Sequence, residues 1–365
     1  MATPPVGLDI TPTSLTAVTL KRKGKSYSLV TRAEMPLAPG IFVDGEVHDA
    51  EALGHAIRTL WNEHGIKERR VAVGIANQRC ITRVIEKVRI KGSRKQLREA
   101  LSFDVAEALP IPIEEAVWDF HSVERFEHPT TGVEMERHLV VMVYRESVER
   151  FQEALLAADL KPVRIDLAAF ALMRSGMAGI RQSLRLAGED LTGADSVVAL
   201  LDIGPTSTNV VVTRGDVCEL NRLVPFGRQH YTQTLVEQFG WDAADADRVA
   251  SDAGIMPVGG VEQPGDPYAD ARRMMQYVTD QLANEIRTSF DYYSHSTGGS
   301  KIDRVVVAGE GALLHGIDQR LTHELGVPVS MLDVAPRLDA GSVEALGNAQ
   351  ARFGVALGLA MEEAA

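Results

Sequence analysis

The stretch LDITPTSL, beginning at Leu8, returns as LDIGPTST at Leu201, with six of the eight positions identical. Asp9 and Asp202 stand 193 residues apart in a chain of 365. Solenoid repeats recur every ~20–50 residues, so this spacing points to two copies of a whole unit. The surroundings agree. In the first copy PVGLDI, LTAVTLKR and SYSLVTRAEMPL read as three strands joined by polar turns. A helix, AEALGHAIRTLWNEHG, follows with Leu53, Ala56, Ile57, Leu60 and Trp61 on one face and Gly65 as its stop. In the second copy SVVALLDI, TNVVVTR and VCELNRLVPFG precede a helix ending at Gly240.

This reading predicts an α/β fold of two duplicated domains, over 1–190 and 191–365, with the last helix packing back on the first domain. Between the motifs lies extra material. RRVAVGIA is a strand buried on both faces. SRKQLREALSFDVAEALP is a helix, opened by a Ser93–Gln96 capping box and closed by Pro110. With the strands and helix that follow, it makes a βαββα-like insert over about 76–160. IRQSLRLAGEDLTGAD reads as a polar connector, and GIMPVGGVEQPGDPYAD as a Gly/Pro-rich loop. Met274, Val278, Leu282, Ile286 and Phe290 are spaced by four, which predicts one apolar stripe on a long helix.

The repeated turns carry the chemistry. A turn between strands aims backbone N–H groups into its concave side and binds anions. Thr13 and Ser14 in one copy, and Thr206, Ser207 and Thr208 in the other, add hydroxyl donors. Asp9 and Asp202 sit where strand becomes turn, where a carboxylate can hold hydrated Mg²⁺ against phosphate. Gly204 is expected to permit a sharp bend and close phosphate approach. A lone turn of this composition would be ordinary turn chemistry; two matched copies argue for a shared ligand. A third element, VVVAGEGALL, has Gly309, Glu310 and Gly311 opening a helix after a buried strand, as suits a nucleoside against backbone.

The net charge of −12 argues against a nucleic-acid partner. The two cysteines, Cys80 and Cys218, read as free thiols of a reducing compartment. No apolar run approaches the ~20 residues of a membrane span, and the start lacks a signal-peptide pattern, so the expected location is the cytoplasm.

Together these residues resemble the actin-like ATPase superfamily, with its two phosphate turns and late strand–glycine element. More closely, GLDITPTSLTAVTL, LPIPIEEAVWDF, LANEIRTSFDYY and FGVALGLAM resemble the PilM family of type IV pilus assembly, itself similar to the division protein FtsA. The resemblance implies ATP with Mg²⁺ in a cleft between the halves, and an inserted subdomain of the FtsA type. It also implies a groove beside that subdomain for the tail of a PilN-like inner-membrane protein; other pilus assembly proteins and a second copy of the chain are further candidate partners, and the sequence leaves the oligomeric state open. Ile111, Ile113 and Trp118 are candidates for that groove, and Glu285, with Arg287 and Ser289, for contact with the nucleoside. This places the chain at the inner membrane through a partner, without insertion of its own.

Two departures concern the first turn: Thr11 replaces the family's glycine, and Thr16 its phosphate-seeking lysine. Glu310 replaces the second glycine of the late pair. These leave ATP hydrolysis open, as at most a weak activity. They also leave a nucleotide-free adaptor of the same fold as an alternative. An FtsA-like division protein would carry a basic amphipathic tail, whereas this chain ends AMEEAA. A sugar kinase would need a base at the acceptor hydroxyl, and none is evident.

Overall fold

The computed structural model describes residues 3–24, 26–186, 188, 196–255, 265–296 and 300–362. Most of the Gly/Pro-rich loop after Ile255, and most of the connector after Leu186, lie outside these residues.

The first half opens with β1 (Val6–Ile10), β2 (Ser14–Lys23) and β3 (Ser26–Pro36), then a two-stranded hairpin of β4 (Phe42–Val43) and β5 (Glu46–Val47). Helix α1 (Ala50–Glu63) is capped by the Asp49 carboxylate, which accepts from the Ala52 amide at 2.9 Å. Next come β6 (Arg70–Ile75), β7 (Cys80–Val88), α2 (Arg94–Ala108), β8 (Ala116–Glu127), β9 (Glu134–Tyr144) and α3 (Arg145–Ala157). β10 (Lys161–Leu167) and α4 (Ala168–Leu186) complete the half. The second half runs β11 (Val197–Ile203), β12 (Thr208–Arg214), β13 (Val217–Val224), α5 (Gln229–Phe239), α6 (Ala243–Ala253) and α7 (Ala269–Ser296). It closes with β14 (Arg304–Ala308), α8 (Ile317–Leu325), β15 (Val329–Met331), α9 (Ala340–Leu346) and α10 (Gly354–Ala360).

The two halves share one topology. One five-stranded sheet has the order β3-β2-β1-β6-β10 and the other β13-β12-β11-β14-β15. In each, the first three strands are antiparallel and the last three parallel. Register matches too: Asp9 pairs with Thr16, and Asp202 with Asn209. The central strands are buried on both faces, hence their unbroken apolar runs.

β7, β9 and β8 form a separate three-stranded antiparallel sheet. Alternation along β8 turns Ala116, Trp118 and Phe120 inward. Trp118 and Phe120 there meet Leu101 and Val105 of α2, whose Ser93–Gln96 capping box is formed. The insert read over 76–160 thus has its own core only from β7 to β9. Helix α3 packs on α1 instead, and its Phe151 and Leu155 share the core of Trp61.

Three sequence readings need correction. Residues 180–186 are the last turns of α4, not connector, because Ile180 and Leu184 continue its buried face. On α7 the buried stripe runs through Met275, Val278, Leu282, Ile286 and Tyr293, while Met274 and Phe290 are only half-buried. Steps of four residues drift by about 40° each around a helix, so a strict four-residue series leaves the buried face at its ends. Finally, Gly309 and Gly311 do not open an α-helix: Gly311–Leu313 is a single 3₁₀ turn, and α8 starts at Ile317.

Helix α10 lies over β1 and against α4. The approach needs glycine: a Cβ at Gly358 would overlap the Ala171 carbonyl oxygen. Arg174 Nε donates to the Gly358 carbonyl at 3.0 Å, and Arg164 donates to the Met361 carbonyl at 3.0 Å, satisfying carbonyls at the helix end. Among the described residues no helix is long and apolar enough to cross a membrane. Both cysteines are buried free thiols, each pushed up to about 12 by burial, and so unreactive.

Candidate functional site

The two repeated turns face each other across one cleft. Its walls include Asp9, Thr11, Ser14 and Thr16 from the first half, and Asp202, Gly204, Thr206, Ser207 and Asn209 from the second. Gly309, Glu310 and Arg352 close it. Its volume is about 80 Å³, room for roughly half a dozen waters or the phosphate end of a larger ligand.

Each turn is closed by the same backbone bond: the Thr11 amide donates to the Ser14 carbonyl at 2.9 Å, and the Gly204 amide to the Ser207 carbonyl at 2.9 Å. The turns then diverge. Thr11 Oγ1 accepts from the Ser14 amide at 3.0 Å and from the Thr13 amide at 3.4 Å, and lies 3.0 Å from Ser14 Oγ. The first turn therefore satisfies its own donors. In the second turn no acceptor among the described residues takes the Thr206 or Ser207 amide. Instead the carbonyls of Gly204 and Pro205 accept from the Arg228 and Gln229 amides at 2.9 and 2.8 Å, which fixes the turn from behind.

The bend expected of Gly204 does not depend on glycine. Gly204 lies outside the positive-φ region, and the nearest atom to a Cβ there would be the Ser207 carbonyl oxygen at 3.1 Å. Its equivalent, Thr11, carries a side chain in the same turn. What glycine does is leave the amides uncapped. Gly309 is different: its φ is +84°, and a Cβ would stand 2.5 Å from Asp202 Oδ1 and 2.6 Å from the Ile203 carbonyl oxygen.

Asp9 and Asp202 share the floor of the cleft. Burial, then the charge of Asp202, raises Asp9 to about 7 against the pull of the Ile10 amide. Burial alone raises Asp202 to about 6. Two carboxylates held at the edge of ionisation and facing a shared opening suit a hydrated Mg²⁺, which takes one or two carboxylates and keeps its waters. Among the described residues no three His, Cys, Asp or Glu side chains converge as a cation cage.

The remaining candidates fall elsewhere. Thr208 is fully buried and its hydroxyl donates to the Phe226 carbonyl at 2.6 Å. Thr13 contributes its carbonyl to the Leu37 amide rather than a side chain to the cleft wall. Gly311 packs against Ile203. Glu285 is exposed on α7, Ser289 is buried and donates to the Glu285 carbonyl at 3.2 Å, and Arg287 is tied to Glu324; none of the three lines the cleft. Trp118 belongs to the core of the insert, with the Arg98 guanidinium 3.9 Å from its ring centre. Ile113 packs at the edge of that core and Ile111 is half-buried.

Sequence reading missed Arg228 and Arg352. Arg228 donates to Asp247 at 2.7 Å and lies 3.6 Å from Glu310, which it screens. The signal for it was the FGR that follows the third strand of the second repeat. A second, larger cleft, of about 1290 Å³, also went unread. It lies between β7, α4 and β13, over a floor of Met177, Ile180 and Leu184.

A family model described as type IV pilus assembly protein PilM matches residues 7–364. Among solved structures, the chain is similar to one described as a PilM-PilN type IV pilus biogenesis complex. The two are 26% identical, over 98% of this chain and 97% of that one, with a TM-score of 0.75. It is similar to the ethanolamine utilization protein EutJ of Carboxydothermus hydrogenoformans at 15% identity, 98% and 90% coverage and a TM-score of 0.55. It is also similar to MreB5 of Spiroplasma citri bound to AMPPNP, at 11% identity, 98% and 95% coverage and a TM-score of 0.51. The last two likenesses show a common fold, the actin-like ATPase fold.

Proposed function

The chain belongs to the type IV pilus assembly protein PilM family, and from that premise we propose that it is an actin-like cytoplasmic scaffold which binds Mg-ATP between its halves and a PilN-like membrane protein beside its insert. The observation that carries the nucleotide reading is the second turn. Its uncapped Thr206 and Ser207 amides stand beside Asp202, on a cleft that also holds Asp9. These residues fit a phosphate and its hydrated cation. The amides and hydroxyls would take phosphate oxygens, Asp9 and Asp202 would hold water on Mg²⁺, and Gly309 leaves room for a nucleoside. The cation supplies neutralisation of the phosphate charge.

Mg-ATP at about a hundred times its Kd is expected to stabilise the protein by ~2.7 kcal/mol, read as a rise in thermal midpoint. Asp202→Ala removes that rise. The self-capped first turn favours a second reading, an adaptor that holds no nucleotide; an unmoved midpoint in the native protein would establish it.

The larger cleft suits the partner. β7 and β13 are both edge strands of their sheets, and residues of both line it. An extended tail can add to such an edge while its apolar side chains enter the floor. Val84 of β7 lines the cleft and is 38% exposed. A peptide of the partner's tail is expected to bind the native protein, and Val84→Glu to weaken it at least about tenfold with no change in fold. Equal binding by both would move the tail elsewhere.

A further inference from the structure

We propose that Arg352 is the cation that receives the terminal phosphates of the nucleotide, delivered to the cleft by the C-terminal segment and held at rest by Glu34. The proposal rests on the nucleotide reading above.

Charge sets the requirement. The cleft wall carries Asp9, Asp202 and Glu310, and among its described lining residues Arg352 is the sole cation. A polyphosphate facing three carboxylates needs compensation beyond one divalent ion. The first turn gives little, because Thr11 has capped its amides.

Position meets the requirement. The Gly309 amide donates to the Ala351 carbonyl at 2.9 Å, which fixes the backbone next to Arg352 against the late glycine turn. From there the side chain crosses to the first half and pairs with Glu34 of β3. Glu34 is the cross-strand partner of Thr16, which is itself the partner of Asp9. The guanidinium thus stands on the row of residues leading from β3 to the Asp9 carboxylate. Neither member of the pair is deeply buried: the side chains are 34% and 30% exposed. Exchange of Glu34 for phosphate is therefore a short movement of a flexible side chain. An Arg fork matches phosphate oxygens bidentately. Arg228, which lies 3.6 Å from Glu310, is already committed to Asp247 and Ser251.

The consequence is an ion pair between the two halves that the ligand would break. Because α10 follows directly after Arg352 and lies over β1, phosphate occupancy would be felt by the C-terminal segment.

The test is a titration of the full chain with Mg-ATP and, separately, AMP. Arg352→Ala is expected to weaken Mg-ATP at least about tenfold and AMP less than about twofold. Arg352→Lys should recover part of the loss. Glu34→Gln also removes the resting pair but keeps the cation, so it should bind Mg-ATP as well as or better than the native protein. Arg352→Ala binding Mg-ATP as the native protein does would overturn the assignment alone. So would Glu34→Gln falling as far as Arg352→Ala, since the pair would then matter only for structure. A native protein that binds neither ligand would remove the nucleotide reading and this inference with it.

Discussion

Asp9→Asn is expected to make the ligand-free protein more stable at pH 8, by on the order of 2 kcal/mol, while abolishing its response to Mg-ATP. The reason is the raised carboxylate. In the unfolded chain Asp9 titrates near 3.8, and in the cleft burial and the neighbouring Asp202 raise it to about 7. A group whose folded value lies above its unfolded one favours folding at low pH. Below 3.8 both states are protonated and the carboxyl costs nothing. Between 3.8 and about 7 the unfolded chain has released its proton and the folded one has not, so stability falls as pH rises, and above 7 the loss is complete. One pH unit between the folded and unfolded titrations is worth about 1.4 kcal/mol. A rise from 3.8 to about 7 would therefore give about 4 kcal/mol. The cleft is open to water, which reduces this to about half.

Unfolding followed from pH 4 to pH 8 should show Asp9→Asn and the native protein converging at the acid end and separating toward neutrality. Asp202→Asn should do the same with a smaller separation, since Asp202 is raised only to about 6. It should also relax Asp9, whose second cause of elevation is the Asp202 charge. Mg²⁺ between the two carboxylates reverses the balance, because a cation favours their ionised forms. Cation binding should therefore release protons between about pH 6 and 7. An Asp9→Asn protein no more stable than the native one at pH 8 would mean that the carboxylate is well solvated and that no cation is needed there.

Much of this site could be read from residue order because its parts are local. A strand, a turn and a strand follow one another without interruption, and the two copies of LDI-x-PTS carry the same register because the same side chains face the same partners. The Ser93 capping box and the alternation of β8 are local in the same sense. What escaped depends on distance or on what a side chain does with its hydrogen bond. Arg352 reaches the cleft because the Gly309 amide bonds the Ala351 carbonyl, far away in sequence, and no spacing announces that. Thr11 was visible as a lost glycine, and threonine's habit of bonding its own turn could have identified the cap. The bend itself was assigned to Gly204, where the structure needs no glycine, while Gly309 proves to be constrained by Asp202. The end of α4 lies beyond Ile180, where tertiary burial rather than composition decides, and on α7 the four-residue series through Met274 drifts off the buried face.

Gly309→Ala should destabilise the protein by about 3 kcal/mol or more and eliminate any stabilisation by Mg-ATP. Two costs combine. An L residue at φ +84° is strained wherever it sits, at about 1–3 kcal/mol. Here the added Cβ would also stand 2.5 Å from Asp202 Oδ1 and 2.6 Å from the Ile203 carbonyl oxygen, and the second of these is backbone within the central strand of its sheet. Relief requires the turn after β14 to move away from β11, which would break the Gly309–Ala351 bond at 2.9 Å and shift the segment carrying Arg352. Gly204→Ala provides the control. Its φ is unconstrained and its nearest neighbour would be 3.1 Å away, so a change within about 1 kcal/mol is expected and the Thr206 and Ser207 amides stay available. Measured side by side, the two substitutions separate a glycine that shapes the site from one that only leaves it uncapped. Equal melting of Gly309→Ala and the native protein would show that the late turn yields freely, and it could not then be holding Asp202 and Arg352 in place.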